Sequence, residues 1–248
     1  MLEFVFTAAG GTLAIFVGGG LGDYLLFVGP AFLLALIAQG MVKGAVHRWS
    51  RQPLARGLTG AEVARRVLQA GEVEGVAIEV SHGWLSDHYD PRSRTLRLSE
   101  ANYHGRSIAA AAIAAHEAGH AIQHARRYAP LALRTFYVPV ASLGSSLSIP
   151  LIFLGAIFTW PTLMLAGVAL FSAVVLFQML TLPVEFDASR RAKRILADSG
   201  LLTSDHEARG VSAVLNAAAM TYVAATVQAV MTLLYYLHVL GILGGRRD

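Results

Sequence analysis

The chain has 248 residues, of which 55% are hydrophobic and 15% charged, with a net charge of +4 at pH 7 and no cysteine. So apolar a composition excludes an ordinary soluble domain. The absence of cysteine excludes disulfides and any thiolate metal site, and so modest a charge gives no reason to invoke nucleic acid as a partner.

In chain order, Leu2 to Val17 is apolar apart from Glu3 and runs into Gly18-Gly19-Gly20. A cleaved signal opens with positive charge, yet no Lys or Arg precedes Lys43. This stretch therefore reads as an extra, glycine-weakened membrane helix, with a signal sequence as the alternative. Leu21 to Val42 carries one charge, Asp23; Val138 to Leu182 carries none and is interrupted by Thr159-Trp160-Pro161-Thr162; Ala217 to Leu243 is again uncharged. About 20 apolar residues cross a bilayer as a helix. Spans are expected over residues 23–42, 138–158, 162–182 and 220–243, four in all or five with the N-terminal stretch, and Trp160-Pro161 suits a turn between antiparallel spans. No repeat or linker divides the chain, so it reads as a single membrane-embedded domain.

The polar segments are 43–137 and 183–219. Thr59-Gly60-Ala61-Glu62 matches a capping box, followed by a short amphipathic helix from Ala61 to Ala70 that Gly71 ends. Val76 to Val80 and Thr95 to Leu98 alternate as strands around the turn chemistry of Asp90-Pro91, which predicts a small antiparallel hairpin or sheet. Ser107 caps an alanine-rich helix through His116, His120 and His124 to about Arg127. A new helix is expected from Pro183 to about Ser199, stopped by Gly200, and an amphipathic stretch from Glu207 to Ala219 runs into the last span.

Of the 20 Lys and Arg, 13 lie between Lys43 and Arg134 and five between Arg190 and Arg209. Two spans separate these segments, which places both on one side of the membrane, and positive charge marks that side as cytoplasmic. The basic run at Arg190-Arg191 and Lys193-Arg194 reads as a solvated helix face near anionic lipid.

The chemistry concentrates in His116-Glu117-Ala118-Gly119-His120. Histidines four apart on a helix share a face, about 6 Å apart along the axis, and reach one metal ion. Glu117 flanks that ion and is placed to deprotonate a zinc-activated water. Gly119 costs about 1 kcal/mol against alanine in a helix interior, which suggests that something must approach the backbone there. A catalytic zinc needs a third protein ligand. His124 is too far along the helix, since the outer pair of histidines would be about 12 Å apart; it reads as a surface or helix-contact residue. A metzincin would have its third histidine where Arg126 stands. Glu185, just after a span, is the better candidate.

These residues resemble the YugP-type membrane zinc metallopeptidases, a bacterial group akin to the gluzincins. The matching stretches are Thr59 to Ala64, Leu85 to Pro91, Ala114 to Gln123, Leu182 to Ser189 and Ala217 to Ala224, so the likeness runs from about Asp23 to Leu243, with residues 1–22 as an extension. It implies a mainly α, polytopic membrane protein with a gluzincin-like cytoplasmic α+β catalytic part, in the bacterial inner membrane. His116, His120 and Glu185 would ligate Zn2+ and Glu117 would be the base. One departure matters: where many membrane gluzincins have an aspartate that orients a ligand histidine, this chain has Ser189. Asp187 lies about 200° round the helix from Glu185, so the orienting role falls to Ser189 or to Asp87, Asp90 or His88.

The expected activity is endopeptidase cleavage of membrane proteins or unfolded polypeptides near the lipid bilayer. A second oxyanion donor is sought in Tyr222, His88 or His206, and a strand edge between Val76 and Leu98 could pair with extended substrate. The rival reading is a membrane scaffold or regulatory partner that keeps zinc but cleaves little. A transporter fits poorly, because the spans carry almost no ionisable groups.

Overall fold

The computed structural model describes residues 20–83 and 86–243. Seven helices and three strands follow in order among them: α1 (Leu21–Ser50), α2 (Gly60–Ala70), β1 (Ala77–Ser81), β2 (His88–Asp90), β3 (Thr95–Ser99), α3 (Glu100–Tyr103), α4 (Ile108–Ala125), α5 (Ala129–Ile157), α6 (Pro161–Asp198) and α7 (Asp205–Val239). The proposed extra helix within residues 1–22 falls almost wholly outside the described residues.

The chain divides into two compact units. One comprises residues 20–37, Leu133–Thr181 and 222–243, and consists of apolar helix. Four helices, α1, α5, α6 and α7, are long and apolar enough to cross a membrane. Large apolar side chains are exposed along them, including Leu26, Leu33 and Ile37 on α1 and Phe136 and Leu143 on α5, as a lipid-facing surface requires. Within this unit Val28, Ile152, Val168, Phe171, Val175, Tyr235 and Tyr236 form a buried cluster.

The sequence places a helix start at Pro183, but α6 runs unbroken through it for 38 residues. Proline's fixed φ is helical, and losing one backbone bond is tolerated in long apolar helices. At 1.5 Å per residue α6 is about 57 Å long, well beyond the ~30 Å of a hydrocarbon core. A single helix can therefore supply both a span and the segment that carries Glu185.

The second unit comprises Ala38–Ala132 and Leu182–Thr221. Helix α2 opens with the expected capping box: Thr59 Oγ1 accepts from the Glu62 N–H at 3.2 Å, and Glu62 accepts from the Thr59 N–H at 2.8 Å. Gly71 caps its C-terminus, and α4 starts at Ser107, whose Oγ accepts from the Ala110 N–H at 3.1 Å. Gly200, at φ +62, follows the end of α6. Buried Glu207 accepts from the Ala55 N–H at 2.7 Å and the Thr203 N–H at 2.6 Å, which ties the loop after α1 to the first turn of α7.

The sheet corrects the expected antiparallel hairpin. Its order is β1-β3-β2; β1 and β3 are parallel (Ile78 opposite Leu96), while β2 and β3 are antiparallel (Tyr89 opposite Leu96). The tight turn at Asp90, where Oδ1 accepts from the Arg92 N–H and Oδ2 from the Ser93 hydroxyl, joins β2 to β3 instead of β1 to β3. Leu96 and Leu98 are fully buried, so β3 takes the centre, and the longer connection lets β1 enter parallel.

Helix α4 is the centre of this unit. Seven of its alanines and all three of its isoleucines pack in or against a core shared with Val63 and Val67 of α2, Leu96 and Leu98 of β3, Ala192 and Leu196 of α6, and Val211 and Val214 of α7. Small side chains allow that close approach on several sides, which sets a polar face of α4 against α6.

Candidate metal centre

His116 and His120 lie one turn apart on α4, with ring centroids 4.7 Å apart and planes at 83°. Each turns Nε2 toward the same oxygen of α6: Glu185 Oε2 is 3.1 Å from His116 Nε2 and 3.5 Å from His120 Nε2. One ligand atom from each of the three residues lies within 4.8 Å of the others. The side chains of the histidines are 13% and 12% exposed and that of Glu185 is 4% exposed. The cluster is shielded but reachable.

Gly119 explains how α4 comes so close to α6. A Cβ there would stand 2.8 Å from the Ala188 carbonyl oxygen and 3.3 Å from its Cα. The obstacle is backbone, with no rotamer to swing aside. Gly119→Ala is expected to cost about 1–3 kcal/mol in overpacking, offset by about 1 kcal/mol of helix propensity. Zinc affinity should respond more than stability, because the two halves of the cluster are pushed apart. Denaturation in detergent alongside a zinc-chelator competition checks this; a stabilised variant with unchanged affinity would contradict the close approach.

The remaining ring nitrogens are also held. Ser189 Oγ is 3.2 Å from His116 Nδ1, and Gln123 Oε1 is 3.0 Å from His120 Nδ1. Gln123 in turn donates to the Val184 carbonyl at 2.8 Å and to Asp187 Oδ2 at 2.9 Å. Of the four groups considered for orienting a ligand histidine, Ser189 is the one within hydrogen-bond reach of His116, and Asp187 reaches the other histidine through Gln123. The candidates Asp87, Asp90 and His88 bond elsewhere: Asp87 accepts from Ser99 and Asn102, Asp90 serves its turn, and His88 Nδ1 pairs with the Ser86 carbonyl. Gln123 escaped the sequence reading. Its signal was available, since it stands three residues after His120 and hence on the same helical face.

Other singled-out residues fall as follows. His124 Nδ1 is 2.9 Å from the Tyr89 hydroxyl and so ties α4 to β2, a contact role. His206 packs against the Trp49 ring. Tyr222 lies on α7 and belongs to the other unit. Glu117 is partly exposed and its charge acts on His120.

A zinc ion fits this donor set. With bonds of about 2.0–2.1 Å, the edges of a tetrahedral shell are roughly 3.3–3.4 Å, and the observed 3.1 and 3.5 Å bracket that length. Two imidazoles and one carboxylate leave a fourth position open, the pattern of catalytic zinc sites.

Burial disfavours a charged His120, but the Glu185 carboxylate outweighs it and raises the imidazole to about 9 in the metal-free protein. This raised value stabilises the metal-free fold fully below the unfolded pKa of about 6.5, and the contribution is lost as pH rises through about 9. Zinc must displace that proton. Its affinity should therefore rise about tenfold per pH unit up to about pH 9, measured by chelator competition at several pH values; a flat profile would contradict the pairing.

Comparison with known proteins places this geometry. The chain belongs to the family described as "Putative neutral zinc metallopeptidase", whose model matches residues 24–241, and Zn2+ is the cofactor that this family implies. It is 44% identical over 216 residues to the "Putative membrane protease YugP" of Bacillus subtilis (strain 168), a match covering 87% of this chain and 94% of that one. No solved structure matches it. With four helices of spanning length and a membrane protease as relative, it is a multi-pass membrane protein.

Proposed function

We propose that the chain is a gluzincin-like, zinc-dependent endopeptidase that hydrolyses peptide bonds beside the cytoplasmic face of the bacterial cell membrane. His116, His120 and Glu185 are the ligands and Glu117 the general base. The observation that carries this reading is the convergence of two Nε2 atoms on one Glu185 oxygen, 3.1 and 3.5 Å away. Zinc held there would polarise the scissile carbonyl and acidify a water.

The residues of the chain do the rest. Glu117, next to the first ligand and partly open to solvent, takes one proton from the attacking water, whose oxygen bonds to the carbonyl carbon. It then delivers the proton to the amide nitrogen as the C–N bond breaks. Ser189 and Gln123 fix the rings that face the reaction. The cytoplasmic side follows from the positive charge of both polar segments. Substrates are then membrane proteins cut near the lipid surface, or unfolded segments that reach it.

The scaffold alternative drew its support from the serine at 189. That support weakens with Ser189 Oγ 3.2 Å from His116 and a buried amide on His120. The test is hydrolysis of an unfolded polypeptide by the purified protein with zinc in detergent, against the Glu117→Gln variant.

A further inference from the structure

Gln123 is fully buried, and its three partners leave its amide no freedom. A primary amide has two N–H donors on one side and a carbonyl on the other. The Val184 carbonyl and the Asp187 carboxylate accept only, at 2.8 and 2.9 Å from Nε2. Turning the amide over would set its oxygen against two acceptors in a buried place and take from each the N–H that now meets it. The oxygen must therefore face His120, 3.0 Å from Nδ1, and a carbonyl there demands a proton on that nitrogen.

We infer that Gln123 is a positioning residue that pins a proton on Nδ1 of His120 and so reserves Nε2, the atom turned toward Glu185, for the metal. The inference rests on the proposed metal centre. It reaches further out, because Asp187 is itself held: Arg191 Nε donates to Asp187 Oδ2 at 2.5 Å, and the Arg191 guanidinium lies over the Tyr128 ring, 5.7 Å from its centroid. A chain of contacts from Tyr128 through Arg191, Asp187 and Gln123 thus ends on a ligand. His116 is treated differently. Its Nδ1 meets the Ser189 hydroxyl, which can donate or accept and so dictates no tautomer. The two ligand histidines are held unequally, one by a one-way amide and one by a two-way hydroxyl.

The experiment compares zinc dissociation constants, by chelator competition, and the visible spectrum of the cobalt-substituted protein. Gln123→Met keeps the length of the side chain but removes both functions, and should weaken zinc binding by about 10–100-fold and shift the cobalt bands. A second reading needs no variant: in the zinc-loaded wild type labelled with 15N-histidine, His120 should show a protonated Nδ1 and a metal-bound Nε2. Wild-type affinity in a folded Gln123→Met protein overturns the inference, and so does a His120 that binds zinc through Nδ1. If Gln123→Met does not fold, the nitrogen spectrum decides alone: a protonated Nδ1 on His120 supports the inference, and an Nδ1 without a proton overturns it. Failure of the metal centre itself looks different, with the wild type binding no zinc or His120→Ala binding it as the wild type does.

Discussion

Glu117→Gln should abolish peptide hydrolysis while leaving the zinc content unchanged. Glutamine has nearly the shape of glutamate, so the helix, both histidines and Glu185 keep their places. It cannot take a proton from water, and it has none to give to the departing amine. Loss of a positioned general base costs about 10²–10⁴-fold in rate, and more where the same group also serves as the acid, as proposed here. The comparison is made on purified protein in detergent with an unfolded substrate, with zinc measured by elemental analysis. Activity that survives the change removes Glu117 from its role. If neither form cleaves any unfolded substrate while both hold zinc, the scaffold reading takes over.

Glu185→Ala should have the other large effect, on the metal itself. Losing a residue that only steadies a ligand typically costs about 10–100-fold in metal affinity, and losing a ligand should exceed that. Glu185 supplies the one negative charge in the set and is 4% exposed at its side chain, so bulk water is a poor replacement. Glu185→Gln, which keeps a single carbonyl oxygen in place, should fall between the two. Zinc retained in full by Glu185→Ala after gel filtration would strike Glu185 from the set.

Much of this site was legible because it is local. Spacing alone put His116 and His120 on one face of α4, and Gly119, costly in a helix, marked the approach of the Ala188 backbone. The capping residues Thr59 and Ser107 marked two helix starts for the same reason: their partners lie within three residues. What was misread depended on distant partners. β1 and β3 alternate as strands of a hairpin do, but their pairing is parallel, and the burial of Leu96 and Leu98 that puts β3 in the centre is a property of the whole core. Pro183 carries the ordinary signature of a helix start, yet α6 passes through it, because in a long apolar helix one missing backbone bond is a small loss. Gln123 was missed for another reason: an amide becomes directional only when its neighbours are known to accept. Val184 and Asp187 come from a helix 61 and 64 residues further along.

The account depends most on one ion bound between α4 and α6, and anomalous diffraction at the zinc edge from crystals of the zinc-loaded protein tests it most directly. The predicted result is a single strong peak about 2.0–2.2 Å from Nε2 of His116, Nε2 of His120 and a carboxylate oxygen of Glu185. A peak elsewhere, or one with both Glu185 oxygens beyond about 3 Å, outside any zinc–oxygen bond, would contradict it.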